Sequence, residues 1–204
     1  MLIAREMPGD ADSLSPVTVP DRSGDAPIDA EGPALALMTD FRERAPHLVR
    51  DTVQIDDALE RMRDAGVRLL FVIDAASRLI GIVTSYDIQG ERPMRYLQSL
   101  DCSLHTCRRS DVQVRHIMEP LSELRVVDLE DVRHARVADL ESAFQAEGRM
   151  HLPVIERLAE GRMRIRGLFS ATELERRLGR NIGVVARAQN FAEIERAMAG
   201  STPL

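Results

Sequence analysis

The sequence predicts an α/β fold in which one β-α-β-β-α unit occurs twice. A helix, two strands joined by a short turn, and a second helix follow one another in residues 56–87 and again in residues 138–173. The matching residues are 82 positions apart before the hairpin turn and 86 after it. An internal repeat with a single insertion in a turn indicates a duplicated unit. The matches are Asp57, Gly66, Val72 and Ile73 with Asp139, Gly148, Val154 and Ile155, and Gly81, Thr84 and Asp87 with Gly167, Ser170 and Glu173.

The first unit starts with an amphipathic helix at residues 56–65, which Asp56 can cap and Gly66 can close. Apolar runs bounded by polar turns then predict a buried hairpin. Its parts are a strand at residues 68–74, a turn at 75–78, a strand at 79–83 and a short helix beginning at Thr84.

The second unit repeats this order with a longer hairpin. Its elements are a helix at 138–147, strands at 151–156 and 164–169 joined by residues 158–163, and a helix from Ser170 to near Gly179. Residues 34–40 are expected to open the first unit and residues 114–120 the second, with Met38 matching Met118.

Five segments follow from these elements. They are a disordered acidic, Pro-rich tail at 1–33, the first repeat at 34–90, a linker with a short helix at 91–110, the second repeat at 111–180, and a C-terminal helix and tail at 181–204. The N-terminal tail holds five of the ten Pro and seven acidic residues against two Arg, with no apolar period. Such a segment buries too little apolar surface to offset its ordering entropy. It is either inert or an acidic contact for a partner, and the C-terminal helix packs on the domain or at a subunit interface.

Composition excludes several functions. All 27 basic residues are Arg, which removes Schiff-base and phosphate-loop lysine chemistry. With no Trp, few aromatic residues and a net charge of −6, the chain lacks the features of nucleic-acid or membrane-surface binders. The apolar run Leu69–Ile73, the longest candidate for a membrane span, is far shorter than a span requires. Two Cys do not make a disulfide framework, so a reducing cytoplasm is the expected compartment.

Nothing in the sequence indicates catalysis. No serine-hydrolase, zinc-protease or phosphate-loop motif is present, so we expect no enzyme activity and no required cofactor. Cys102, His105 and Cys107 could touch one Zn²⁺ if His116 folded back to join them, but a structural zinc site needs four ligands. Two ordinary thiols in a loop are the simpler interpretation, and we expect no metal.

The turn between residues 81 and 87 is the strongest candidate for a binding site. Gly81 allows another backbone or a ligand to approach closely. Thr84 lies where the strand turns into a helix, a place that favours an anion, and Asp87 follows one turn later. The alternative is that Thr84 only caps the helix and that Asp87 only favours its dipole.

The doubled unit resembles the tandem CBS (cystathionine-β-synthase) domain pair, the Bateman module, here standing alone. The resemblance covers about residues 34–180 and is carried by residues 51–53, 56–66, 69–74 and 81–87, and by 114–120, 151–156 and 167–173. It implies two units packed through their sheets with pseudo-two-fold symmetry. It also implies clefts that bind adenosine-containing ligands such as AMP, ADP, ATP or S-adenosylmethionine, and association into homodimers.

The resemblance also implies roles for particular residues. Asp87 would accept both ribose hydroxyls and Thr84 would contact phosphate, while adenine would lie near residues 67–69 or 150–152. Glu173 is one methylene longer than Asp87, so the site with Ser170 is expected to be weak, altered or empty. The expected ligand-binding residues are Gly81, Thr84, Asp87, Arg68, Ser170, Glu173, His151 and Leu152. Arg68, Arg149 and His151 lie near strand starts from which a ligand's phosphate could be reached; the alternative is that each is only a solvated charge.

A regulatory module is therefore the leading hypothesis. An adenosine ligand would change the pose of the two units, and an effector protein would respond to that change. The alternative is a ligand-free dimerisation scaffold with degenerate sites.

Overall fold

Two four-stranded sheets form the framework of the chain. The structure is a computed structural model that describes residues 27–99 and 108–184. Several sequence-based expectations lie outside these residues: the tail before residue 27, the Cys102, His105 and Cys107 cluster, and most of the C-terminal helix.

The first unit follows the predicted order closely. Helix α1 begins at Ile55, so Asp56 lies in its first turn rather than at its cap. A short parallel strand precedes it and a linker helix ends the unit. The elements are β2 (Leu48–Arg50), α1 (Ile55–Asp64), β3 (Leu69–Ile73), β4 (Leu79–Thr84), α2 (Ser85–Gln89) and α3 (Arg92–Ser99).

The second unit repeats this arrangement with a short helix before its long helix, a longer hairpin and no counterpart of α3 among the described residues. The elements are β6 (Val127–Asp128), α4 (Leu129–His134), α5 (Val137–Glu147), β7 (His151–Arg157), β8 (Met163–Ser170) and α6 (Ala171–Leu178). In each unit the first strand pairs parallel with the second, and the second pairs antiparallel with the third. The predicted α/β fold with two repeated units is confirmed.

The two units exchange their leading segments, which the sequence did not predict. Strand β1 (Thr39–Asp40) precedes the first unit but pairs antiparallel with β8 in the sheet of the second. Strand β5 (Glu119–Pro120) precedes the second unit but pairs antiparallel with β4 in the sheet of the first. The sheet orders are therefore β2-β3-β4-β5 and β1-β8-β7-β6. Segments 34–40 and 114–120 each complete the sheet of the other unit.

The alternation of side chains along β3 separates two apolar layers. Leu70 and Val72 face the helices of the first unit and join its core. Leu69 and Phe71 face the opposite way and pack with Ile165 and Leu168 of β8. Because successive side chains of a strand point to opposite faces, β3 joins its own helices to the other sheet. The two sheets therefore pack face to face, as the resemblance implied.

Residues 27–33, which the sequence analysis assigned to the tail, contact the second unit. The backbone N–H of Ile28 donates to the carbonyl of Arg177 at 3.0 Å, and Ile28 packs against the core of the second unit. Pro33 forms an isolated bridge with Arg136. Residues 27–33 are thus part of the second unit's surface. Within the described part of the chain, no helix is both long enough and apolar enough to cross a membrane.

Candidate functional site

A cleft of about 510 Å³ lies between the two units. One wall comes from the first unit, at the end of β4 and along α2. The other wall comes from the turn between α5 and β7, and β5 forms part of the floor. The lining residues are Ile82, Thr84, Tyr86, Asp87, Gly90, Arg92, Glu119, Glu123, Arg125, Glu147, Gly148, Arg149, Met150 and His151.

Thr84 and Asp87 form a reciprocal cap at the start of α2. The Asp87 backbone N–H donates to Thr84 Oγ1 at 3.2 Å. Asp87 Oδ2 accepts from the Thr84 backbone N–H at 2.8 Å and from its hydroxyl at 2.7 Å. Such a capping box satisfies donors that a helix start leaves free. The capping role that the sequence allowed is therefore present.

The remaining oxygen of Asp87 contacts a guanidinium group. Arg92 Nε lies 3.2 Å from Asp87 Oδ1, and its Nη1 donates to the carbonyl of Ile117 at 2.8 Å. Asp87 is only 5% exposed. Since a carboxylate oxygen accepts about two hydrogen bonds, Oδ2 is saturated and Oδ1 keeps room for one more donor. A bidentate contact with two ribose hydroxyls would require Arg92 or Thr84 to move.

Two further arginines of the cleft are bound to carboxylates. Arg125 forms a two-pronged pair with Glu147, with both N···O distances at 2.9 Å. Arg149, in the turn before β7, directs Nη1 to both carboxylate oxygens of Glu119. Because Glu119 belongs to the sheet of the first unit, this second ion pair ties that sheet to the second unit across the cleft.

His151 is a neutral group in the cleft wall. Burial, and to a smaller extent the charge of Arg68, lower the pKa of His151 to about 4. A neutral imidazole offers a donor and an acceptor without charge. Arg68 is exposed and acts on His151 through its charge, but it does not line the cleft.

The other expected site residues lie away from this cleft. Leu152 is buried in the core of the second unit, facing away from solvent. Gly81 touches the backbone of β5 rather than open space. The structure thus brings together Thr84, Asp87 and His151 from the expected set.

The corresponding turn in the second unit is built differently. Ser170 makes no side-chain cap at the start of α6. Glu173 accepts from Arg176, three residues further along its own helix, with N···O distances of 2.6 and 3.0 Å. The longer side chain therefore does not reproduce the Asp87 cap.

Several residues that line the cleft were not predicted from the sequence. Glu119 reaches the cleft because β5 crosses to the sheet of the first unit, and Arg92 because α3 begins beside it. Arg125 and Glu147 line the cleft as an ion pair. In the sequence, only the match between Met38 and Met118 indicated that the residues around Met118 have the same structural role as those around Met38. Arg149, a candidate for phosphate contact or for a solvated charge, lines the cleft and is paired with Glu119.

The described residues hold no arrangement of three or more His, Cys, Asp and Glu side chains suited to a metal ion. His116, which could have joined a zinc site only if the linker folded back, stacks on Tyr96 with ring centres 4.1 Å apart. Its Nδ1 accepts from the Gln113 backbone N–H at 3.0 Å. His116 therefore has a structural role in the segment that leads to β5.

Comparison with known proteins gives one family match. Residues 37–92 match the family described as CBS domain. A search of curated proteins finds no match.

Solved structures resemble this chain at low identity. One is CBSX2 of Arabidopsis thaliana in complex with AMP, at 24% identity over 71% of this chain and 94% of that one, with a TM-score of 0.48. Another is an uncharacterized conserved protein from Pyrococcus horikoshii, at 19% identity over 72% and 92%, with a TM-score of 0.49. A conserved CBS domain protein from Thermoplasma acidophilum is 16% identical over 79% and 75%, with a TM-score of 0.46.

Proposed function

Because residues 37–92 match the CBS domain family and the second unit repeats the fold of the first, we propose that the chain is a pair of CBS domains acting as a regulatory module. An adenosine-containing ligand (AMP, ADP, ATP or S-adenosylmethionine) binds in the cleft beside Thr84 and Asp87. The bound ligand alters the relative pose of the two units, and an effector protein recognises the altered pose.

The cleft between the units is the observation that carries this proposal. Its volume of about 510 Å³ falls within the range of small-molecule sites, which is about 300–1,000 Å³. Ile82 and Met150 offer apolar surface to a base, one from each unit. Arginines and carboxylates around them offer partners for phosphate and hydroxyl groups.

The position of the cleft explains how binding would act at a distance. Asp87 belongs to the first unit and His151 to the second, so one ligand would contact both. A ligand shifts a conformational equilibrium only by its different affinity for the two poses. A molecule that bridges the units binds the closed pose more tightly, because separating the units breaks its contacts with one of them.

A ligand-free scaffold remains the second candidate, and one observation favours it. The Asp87 carboxylate already has three protein partners, the Thr84 N–H, the Thr84 hydroxyl and Arg92. If Thr84 and Asp87 only cap α2 and hold Arg92, the motif has a structural role, and the module functions by associating chains. Size-exclusion chromatography with light scattering tests the expected homodimer in either case.

Thermal unfolding of nucleotide-stripped protein with each of the four ligands tests the proposal. Ligand at about 100 times its dissociation constant stabilises by about 2.7 kcal/mol, a rise in Tm of roughly 5–10 °C for a chain of this size. Asp87→Asn should abolish the rise. Asp139→Asn is the matched control, because Asp139 accepts the Arg136 backbone N–H at 2.8 Å in the same way but lies outside the cleft.

A rise that Asp87→Asn removes and Asp139→Asn keeps supports the ligand-binding module. If none of the four ligands changes Tm, the scaffold is the better account.

A further inference from the structure

The walls of the cleft carry more negative than positive charge. Three guanidinium groups face four carboxylates, and His151 is neutral near pH 7 because of its lowered pKa. The carboxylates belong to Asp87, Glu119, Glu123 and Glu147. A highly anionic ligand would therefore meet net repulsion unless it displaced some of these groups.

Each of the three arginines already has an anionic partner. Arg92 contacts Asp87, Arg125 contacts Glu147 and Arg149 contacts Glu119. A phosphate that recruits one of them must share it with a carboxylate or take it away. The number of phosphates that the cleft accepts thus depends on how readily these pairs open.

Breaking the ion pair of Glu119 and Arg149 costs more free energy than breaking the pair of Arg125 and Glu147. Glu119 is 7% exposed, and its strand is held against β4 opposite Ile82. The carboxylate thus has little access to water if Arg149 leaves. Removing one partner of a buried ion pair leaves an uncompensated charge, which is strongly unfavourable. The side chains of Arg125 and Glu147, by contrast, are 61% and 30% exposed, and solvent screens their separation.

Building on the proposed function, we infer that Glu119 is a specificity-determining residue. Its carboxylate holds the Arg149 guanidinium group, which is therefore not free to bind a further phosphate group. The cleft therefore selects adenosine ligands of low negative charge, with one phosphate or with a cationic sulfonium, over nucleoside triphosphates.

Calorimetric titration of the whole chain with AMP, ATP and S-adenosylmethionine, in EDTA to keep Mg²⁺ from neutralising phosphate, tests this inference. The wild type should bind AMP or S-adenosylmethionine at least about tenfold more tightly than ATP. Glu119→Gln should raise the affinity for ATP relative to the preferred ligand by about tenfold, the effect of freeing one charge-assisted hydrogen bond on Arg149.

Glu123→Gln is the control, since Glu123 lines the same cleft and is exposed. It removes the same charge without freeing the Arg149 partner, and it should change the ratio by less than about threefold, as a screened charge does. An equal change in both variants would overturn the role of Glu119.

The wild-type measurement keeps the inference falsifiable if Glu119→Gln does not fold. ATP binding as tight as AMP and S-adenosylmethionine binding would overturn the inference but leave the proposed function standing. Failure of AMP, ADP, ATP and S-adenosylmethionine all to bind, to the wild type or to the variant, would overturn the proposed function itself.

Discussion

The carbonyl oxygen of Glu119 occupies the space that a Cβ atom at residue 81 would require. Gly81 lies in β4 opposite Pro120 of β5, and only a hydrogen in place of a side chain lets the two backbones approach so closely. Gly167 in β8 has the same relationship to β1, with Met38 and Thr39 as its neighbours. The glycine of each repeated motif, at residues 81–87 and 167–173, therefore admits the exchanged strand of the other unit.

Replacing Gly81 with alanine should destabilise the protein by about 1–3 kcal/mol, since an added carbon in a tightly packed place forces the backbone to shift. Equilibrium unfolding in urea measures this loss. Because the nearest atom is a backbone oxygen, adding Met118→Ala should not restore stability. Recovery in the double variant would mean that the Met118 side chain, and not the strand, requires the glycine.

The two hydroxyls at the strand-to-helix turns should contribute unequally to stability. Thr84→Val removes the side-chain cap of α2 and should cost about 1 kcal/mol. Ser170→Ala is its counterpart in the second unit, where the hydroxyl makes no cap, and should cost less than about 0.5 kcal/mol. Urea unfolding of both variants at neutral pH compares them, and equal losses would contradict the asymmetry of the two turns.

His151 should make the protein less stable in mild acid. The pKa of His151 is about 4 when folded, below the ordinary value of 6.5 for the unfolded chain. The unfolded state then binds more protons between pH 6.5 and 4, so stability falls as the pH falls through that window. His151→Asn should remove about 1–3 kcal/mol of this fall.

Unfolding measured from pH 7 to pH 4.5 tests this dependence, with His134→Asn as the control because His134 is exposed. Identical pH profiles for the wild type and His151→Asn would show that His151 titrates normally.

Local patterns were sufficient to predict most elements of the fold. The helix at 56–65, the hairpin strands and the repeated second unit depend on spacing, caps and turns, all of which lie within a few residues. The pairing of β1 with β8 and of β5 with β4 depends on contacts between residues distant in the chain, such as Met38 with Gly167. Two-residue strands carry too little periodicity to reveal such pairing.

The site was predictable to the same extent. Thr84 and Asp87 follow from a motif seven residues long, and the structure places both in the cleft. The carboxylate partners of the arginines were not predictable, since Glu119 and Arg149 meet only because β5 crosses to the other sheet. The neutral state of His151 likewise depends on burial and on Arg68, from the opposite unit.

Calorimetric stoichiometry tests the central claim most directly. Titration of nucleotide-stripped protein with the ligand that most raises Tm should give one molecule per chain, bound at the cleft beside Thr84 and Asp87. Asp87→Asn should abolish this binding, and Glu173→Gln should leave it unchanged, because Glu173 is held by Arg176 outside the cleft. The account would be contradicted if none of the four ligands gave a measurable heat of binding. It would also be contradicted if Glu173→Gln abolished binding and Asp87→Asn did not.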